Sequence, residues 1–278
     1  MEEYFGTLNI GEWVKNVPTG QAFTPRTGHE CIFADGKIYL FGGTDDEDRL
    51  NDIYSYNIRQ NKWTKIQTTG PQILARSGAR GVAYMDGLYF FGGYQRKIGN
   101  YFNDLFYFDL DGSKWTNISH NATTESDVPS PRTDHTVVLF EGSIYVFGGY
   151  DGKSRFNDLF SCKLKGAKFK WKRIEAEGTV PLSRFGHAAV VVKNSMFVIG
   201  GWNGHDTMDD IFQYNFISKL WFDIRRLKGV RPTPRYRHSA VNYKNEIIIF
   251  GGVDTNKQRF NDLFMFDTNT RLWEEIKA

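Results

Sequence analysis

Ser143-Ile-Tyr-Val-Phe-Gly-Gly-Tyr-Asp-Gly, residues 143–152, decides the fold because it recurs. Its counterparts are Lys37-Ile-Tyr-Leu-Phe-Gly-Gly, Gly87-Leu-Tyr-Phe-Phe-Gly-Gly, Ser195-Met-Phe-Val-Ile-Gly-Gly and Glu246-Ile-Ile-Ile-Phe-Gly-Gly. Each is a short apolar strand that ends in two glycines. The doublets begin at Gly42, Gly92, Gly148, Gly200 and Gly251, a period of 50 to 56 residues. A period of that size signals a repeat architecture, so local readings follow from it.

Each repeat reads as four strands. In the third, Pro131-Arg132-Thr133-Asp134-His135 leads into the continuous apolar run Thr136-Val-Val-Leu-Phe140, as expected of a strand covered on both faces. Glu141-Gly142 makes a tight turn, and Asp35-Gly36, Asp86-Gly87, Lys193-Asn194 and Lys244-Asn245 are its equivalents, with residue types that tolerate positive φ. A polar loop follows the glycines, then Arg155-Phe-Asn-Asp-Leu-Phe opens the third strand and Trp171 marks the fourth. Arg26-Thr-Gly-His29, Arg184-Phe-Gly-His187 and Arg235-Tyr-Arg-His238 repeat the opening, while repeat two departs with Arg76-Ser-Gly-Ala79. Asn-Asp pairs at Asn51, Asn103 and Asn261 and Asp209-Asp210 repeat the third strand, and Trp63, Trp115, Trp221 and Trp273 the fourth.

The pattern resembles the kelch repeat from about Trp13 to the C-terminus, closest to its longer-repeat type, the group of the leucine-zipper-like transcriptional regulator, the Rab9 effector and host cell factor. The resemblance implies an all-β propeller of four-stranded blades set radially about an axis. The residues agree, since a four-stranded sheet apolar on both faces must stack on like neighbours. Residues 1–278 then form a single domain, with a lead-in outer strand at 1–24 and repeats at about 25–70, 71–128, 129–178, 179–228 and 229–278. Trp13 stands where a fourth-strand tryptophan precedes the next repeat. Two arrangements follow. Either this strand belongs to a sixth blade in a longer parent chain, the preferred reading, or five blades close directly and the strand is an appendage. An open ring would expose strand edges and apolar faces.

Composition narrows the class of function. Aromatic residues make up 16% of 278, which favours strands. Net charge is +3, from 35 basic and 32 acidic side chains with no basic stripe, so a nucleic-acid partner is not expected. No stretch approaches a membrane span, and Met1-Glu-Glu-Tyr-Phe-Gly lacks the basic start and apolar core of a signal peptide. Cys31 and Cys162 fall in strands and read as buried thiols of a reducing compartment, the cytoplasm. The sequons at Asn117 and Asn121 read as chance in a polar loop, and the loop Asn117–Ser130 as a mobile excursion.

Repetition assigns most conspicuous residues to the scaffold. The glycine doublets, the tryptophans and the Arg-x-x-His pairs are expected to hold blades together, and the Asn-Asp pairs to cap backbone at loop ends. His120 and His205 are the histidines outside the repeat, too few for a metal cluster, so neither metal nor cofactor is expected. Function belongs where repeats differ. The residues after the doublets are Thr44, Tyr94, Tyr150, Trp202 and Val253, and these loops should share a face with the proline-arginine turns. Trp202 is the one tryptophan outside the fourth-strand register, in Trp202-Asn-Gly-His205-Asp206. Arg49, Arg155 and Arg259 lie later in such loops, and Arg80 and Arg237 lie near the arginine turns. Tyr, Trp and Arg dominate binding hot spots, so these residues with His205 form the candidate protein-binding set.

The expected function is therefore a non-catalytic scaffold for a protein partner. The resemblance adds substrate recruitment for a ubiquitin ligase, or regulation of a small GTPase, as finer possibilities. A kelch-like sugar mutarotase and an actin- or cytoskeleton-binding module stand as alternatives.

Overall fold

The computed structural model describes residues 13–119, 128–164, 169–175 and 177–277. His120, Asn121 and most of the loop read as an excursion lie outside them. Five mainly antiparallel sheets follow one another along the chain, with a separate two-stranded hairpin, Tyr94–Gln95 and Asn100–Tyr101, inserted in the second. In the third blade Thr136–Phe140, Ser143–Phe147, Leu159–Lys163 and Trp171–Ile174 pair in turn. Thr19–Gly20, Glu177–Gly178 and Lys228–Gly229 each add a short parallel edge to the fourth strand of the blade that follows, beside Trp63, Trp221 and Trp273. No helix among the described residues is long and apolar enough to cross a membrane.

The turns between first and second strands carry positive φ at Asp35, Glu141, Lys193 and Lys244, as their sequence suggests. The second repeat differs by one residue: Met85 is the left-handed position (φ 51°) and Gly87 is the first residue of its strand Gly87–Phe91. The Tyr107 ring lies over Gly87 where a Cβ would stand, so glycine is needed there for close approach and not for the turn.

The repeat arginines of blades two to five each join two blades. The Arg184 side chain is fully buried; it donates Nη1 to the Gly200 carbonyl (2.9 Å) and to Asp210 (2.6 Å), Nη2 to Asp210 (2.9 Å) and Nε to the Leu182 carbonyl (3.0 Å). All of these acceptors belong to its own blade. Its backbone turns the other way: the Arg184 amide donates to the Phe156 carbonyl, and its carbonyl accepts from Gly149 of the preceding blade. The same bonds recur at Arg76, Arg132 and Arg235. The Asp of each Asn-Asp pair is thus the partner of the buried guanidinium, which corrects its reading as a backbone cap. The Asn does cap: Asn51, Asn103 and Asn157 donate to the carbonyls of Ile73, Pro129 and Pro181. The doublet glycines are required by this junction. A Cβ on Gly148 would stand 2.9 Å from the Arg184 carbonyl oxygen and 2.8 Å from His187 Cε1.

Blade five and blade one share none of these bonds among the described residues. Gly252 donates to no carbonyl of the Arg26 turn, and a Cβ on Gly251 would meet only the Phe260 carbonyl of its own blade. Phe33 is 64% exposed and Val241 60%, whereas Val138 and Val190, in the register of Val241, are below 10%. Cys31 shares that bare face, so it is exposed where a buried thiol was expected; Cys162 is buried, and burial pushes its thiol up to about 12. Trp13 is not in a strand. It leans on Phe250 at 5.5 Å, as Trp115, Trp171 and Trp221 lean on Phe41, Phe91 and Phe147 of the preceding blade at 5.3, 5.1 and 5.0 Å.

Two predictions follow from this packing. Arg184→Ala strands Asp210 and the Gly200 carbonyl and should cost about 3 kcal/mol in urea unfolding, with Arg184→Lys recovering little because an ammonium cannot make the fork. The buried His135 and His187 rings are held well below the ordinary histidine range and His238 is pushed down to about 3, in each case by burial first and then the neighbouring arginine. Their unfolded pKa is near 6.5, so below that pH the unfolded chain binds protons that the folded chain refuses. Stability should be fully present above pH 7 and fall as pH drops toward 5.5; melting temperatures that stay flat across that range would contradict neutral burial.

Candidate functional surface

The residue after each repeat arginine bridges to the residue after each glycine doublet: Thr27 with Thr44, Ser77 with Tyr94, Thr133 with Tyr150, Phe185 with Trp202, and Tyr236 with Val253. The two kinds of loop therefore lie side by side on one face, and each blade presents a pair of neighbouring variable positions there.

Large rings at these positions touch from blade to blade. Tyr94 lies on Tyr101 (4.5 Å between centroids), Tyr101 meets Tyr150 edge-on (6.2 Å), and Tyr150 stacks on Phe185 (5.2 Å). Phe185 then meets Trp202 (5.2 Å), and Trp202 reaches Tyr236 (6.0 Å). Phe185 is buried; the other five rings are half-buried. The result is an aromatic arc from blade two to blade five. Tyr101, Phe185 and Tyr236 were missed by reading only the residues after the doublets. The signal was available: Phe185 and Tyr236 occupy the register of Thr27, Ser77 and Thr133, and Tyr101 holds the bridge position that Arg49, Arg155 and Arg259 hold in other repeats.

Arginines are set into the arc. The Arg49 guanidinium lies 5.7 Å from the Tyr94 ring and donates to Thr44 Oγ1 (2.7 Å). Arg155 lies 5.5 Å from Tyr150 and 5.2 Å from Trp202, flat against Gly204, where a Cβ would collide with it. Such placements over ring faces are attractive and more so as water is excluded. Trp202 is thus folded against the face with one side still open. Its Nε1, like the Nε of Arg49 and Arg155, is shut from solvent without an acceptor among the described residues.

The other candidates sit elsewhere. Arg80 opens the inner strand of blade two and pairs with Glu30 of blade one (2.9 Å), so it serves a blade junction. Burial raises the Glu30 carboxyl, with Arg80 pulling against it. Arg259 is exposed beside Val253, a doublet with no ring. His205 is exposed at the tip of the Trp202 loop, 2.9 Å from Asp206. Arg237 reaches back to Asp134 of blade three (Nη2 to Oδ2, 2.7 Å; Nε to Oδ2, 3.1 Å), and that carboxylate is the main reason its pKa is raised.

Asp134 and Arg237 hold the third position of the Arg-x-x-His turn, where the other repeats have Gly28, Gly78 and Gly186, and both adopt left-handed backbone (φ 51° and 56°). The amide of each of these residues donates to the carbonyl of its predecessor, from Gly78 to Gly28 and on to Arg237 and Gly186. Among the described residues no three His, Cys, Asp or Glu side chains gather as metal ligands would. Arg237→Gly removes the partner of the Asp134 carboxylate, whose side chain is only 10% exposed, and should cost about 1 to 2 kcal/mol even after relief of the left-handed strain. Thermal melts of this variant against Asp134→Gly check the balance.

The kelch-repeats domain described as KLHDC2/KLHL20/DRC7 matches residues 2–124, 83–227 and 119–278 in overlapping segments. Human leucine-zipper-like transcriptional regulator 1 is 28% identical over 295 residues, covering 98% of this chain and 34% of its own length. The Caenorhabditis elegans host cell factor homolog hcf-1 is 29% identical over 266 residues, covering 88% of this chain and 33% of its own. Mouse kelch domain-containing protein 3 is 28% identical over 280 residues, covering 91% of this chain and 70% of its own. The chain spans about a third of the length of the leucine-zipper-like regulator. With the repeat matched from end to end and the blades built as described, the chain belongs to the kelch-repeat family.

Proposed function

We propose that the chain is a non-catalytic scaffold that binds a protein partner on the aromatic arc. One observation carries the reading: six rings from four successive blades, Tyr94, Tyr101, Tyr150, Phe185, Trp202 and Tyr236, make a half-open strip at the positions where the repeats differ. The scaffold does not need those rings, since Thr27 and Thr44 fill the same positions in blade one. Amphipathic rings with arginines laid on them are the composition of an interface centre. Similarity to larger regulators such as the leucine-zipper-like protein and host cell factor supports a recruiting role. The finer form of the reading is recruitment of a substrate to a ubiquitin ligase, or regulation of a small GTPase, with neither nucleic acid nor membrane as partner. Two free cysteines fit work in the cytoplasm.

Affinity capture with the wild-type chain, Tyr150→Ser, Trp202→Ala and Met85→Ser tests this. Met85 is an exposed residue on a turn between first and second strands, away from the arc. Partners held by the arc should fall at least tenfold in yield with the first two variants and stay with Met85→Ser. An unchanged set across all four would remove the arc as the binding surface.

A further inference from the structure

The arginines on and near the arc differ in one respect that the repeat does not dictate. Arg80 is paired with Glu30, Arg237 with Asp134, and Arg49 donates to Thr44 Oγ1. Arg155 has no acceptor among the described residues, although it is half-buried and held by Tyr150, Trp202 and Gly204. Its Nε, like that of Arg49, is shut from solvent and unbonded, but its Nη groups also have no acceptor among the described residues, whereas Arg49 Nη1 has Thr44. The carboxylate of its own loop, Asp151, accepts from the backbone amides of Lys153 and Ser154 instead. Nearby Asp206 lies against His205. The Nη donors, not shut from solvent as Nε is, are left without a protein acceptor in a half-buried cation, and an oxyanion would supply one.

We propose that Arg155 is a receptor for the carboxylate of an Asp or Glu side chain on an extended segment of the protein partner, with Tyr150 and Trp202 flanking it. The inference rests on the reading of the arc as the binding surface. Charge complementarity sets the occupant: a planar guanidinium fork with its position fixed by two rings matches a planar carboxylate. The neighbouring half-buried ring of Tyr236 is placed to receive an apolar side chain beside the acid. Arg155 differs in this from Arg259, its counterpart in blade five, which is exposed next to Val253 and has no ring to fix it.

The test pans a random dodecapeptide phage library on the purified chain, keeping clones that Trp202→Ala releases. The expected result is an Asp or Glu at one fixed position, next to an apolar residue. A synthetic peptide from that set should bind at least tenfold more weakly to Arg155→Gln and to the wild type when its acid is made the amide. Arg155→Lys should recover part of the loss, and Arg259→Gln should change binding less than twofold. Thermal melts of Arg155→Gln within 2 °C of wild type would exclude unfolding as the cause. Clones that need Trp202 but carry no fixed acid would overturn the carboxylate assignment and leave the arc standing. A peptide whose acid is replaced by phosphoserine and then binds tenfold tighter would assign the site to phosphate instead, against the proposal. If no clone depends on Trp202, the binding surface and the carboxylate site fall together.

Discussion

A guanidinium taken out of water must have every N–H satisfied, and this fold places one such group in each of its five blades. Arg26, Arg76, Arg132, Arg184 and Arg235 all send Nε to the carbonyl two residues back and Nη1 to the first doublet glycine's carbonyl and to an aspartate. Aromatic rings cover several of them, Phe102 at 3.9 Å from Arg76 and Phe260 at 4.2 Å from Arg235. The fork fixes where the glycine carbonyl and the carboxylate must stand, and so fixes how the second and third strands leave the sheet. In blades two to five the same residue's backbone is bonded to the preceding blade, so one residue sets both the radial order of the sheets and the internal geometry of its own. The histidine three residues later fills the remaining space against the neighbouring glycine, and Ala79 shows that this second function is dispensable at one junction.

That division leaves two positions per blade whose side chains the arginine fork does not use, one after the arginine and one after the doublet. The bridge between them makes them neighbours, and the stacking of blades lines the pairs up across the face. An arc of rings is then a consequence of placing large side chains at unconstrained positions in adjacent repeats. Blade one fills these positions with the small Thr27 and Thr44, and Thr44 Oγ1 serves only its own loop, through Asp48 and Arg49.

Periodicity made the strands, the doublets and the tryptophans legible, because each depends on residues close in sequence. The partner of the arginine was not legible in the same way. Arg132 and Asp158 are 26 residues apart, and an Asn-Asp pair at a strand start is as good a cap as it is an ion-pair partner until the sheet brings the two together. Half of the arc was visible, since Tyr94, Tyr150 and Trp202 stand beside conspicuous glycines. Phe185 and Tyr236 were hidden within a motif whose other members are scaffold, and the fates of Arg80 and Arg237 depended on which blade faced them. Cys31 shows the same limit: its strand register is that of Val137 and Ala189, yet its exposure depends on whether a sheet lies against it.

The face of blade one that carries Cys31 and Phe33 and the face of blade five that carries Val241 and Tyr243 are both bare. In the interior blades, the third and fifth residues of the inner strand look toward the following sheet: Val190 and Val192 cluster with Ile247 and Ile249 of blade five. Val241 and Tyr243 hold those positions in blade five and stay exposed. The arginine fork of Arg26 is complete nonetheless, because all of its side-chain acceptors lie in blade one. Each blade can therefore form its own buried ion pair without a neighbour behind it, while its apolar faces cannot be covered alone. Trp13 meets that second requirement in part, by resting on Phe250 with the geometry that fourth-strand tryptophans adopt on the preceding blade elsewhere. The electrostatic lock is a property of the single repeat; the hydrophobic one belongs to the pair.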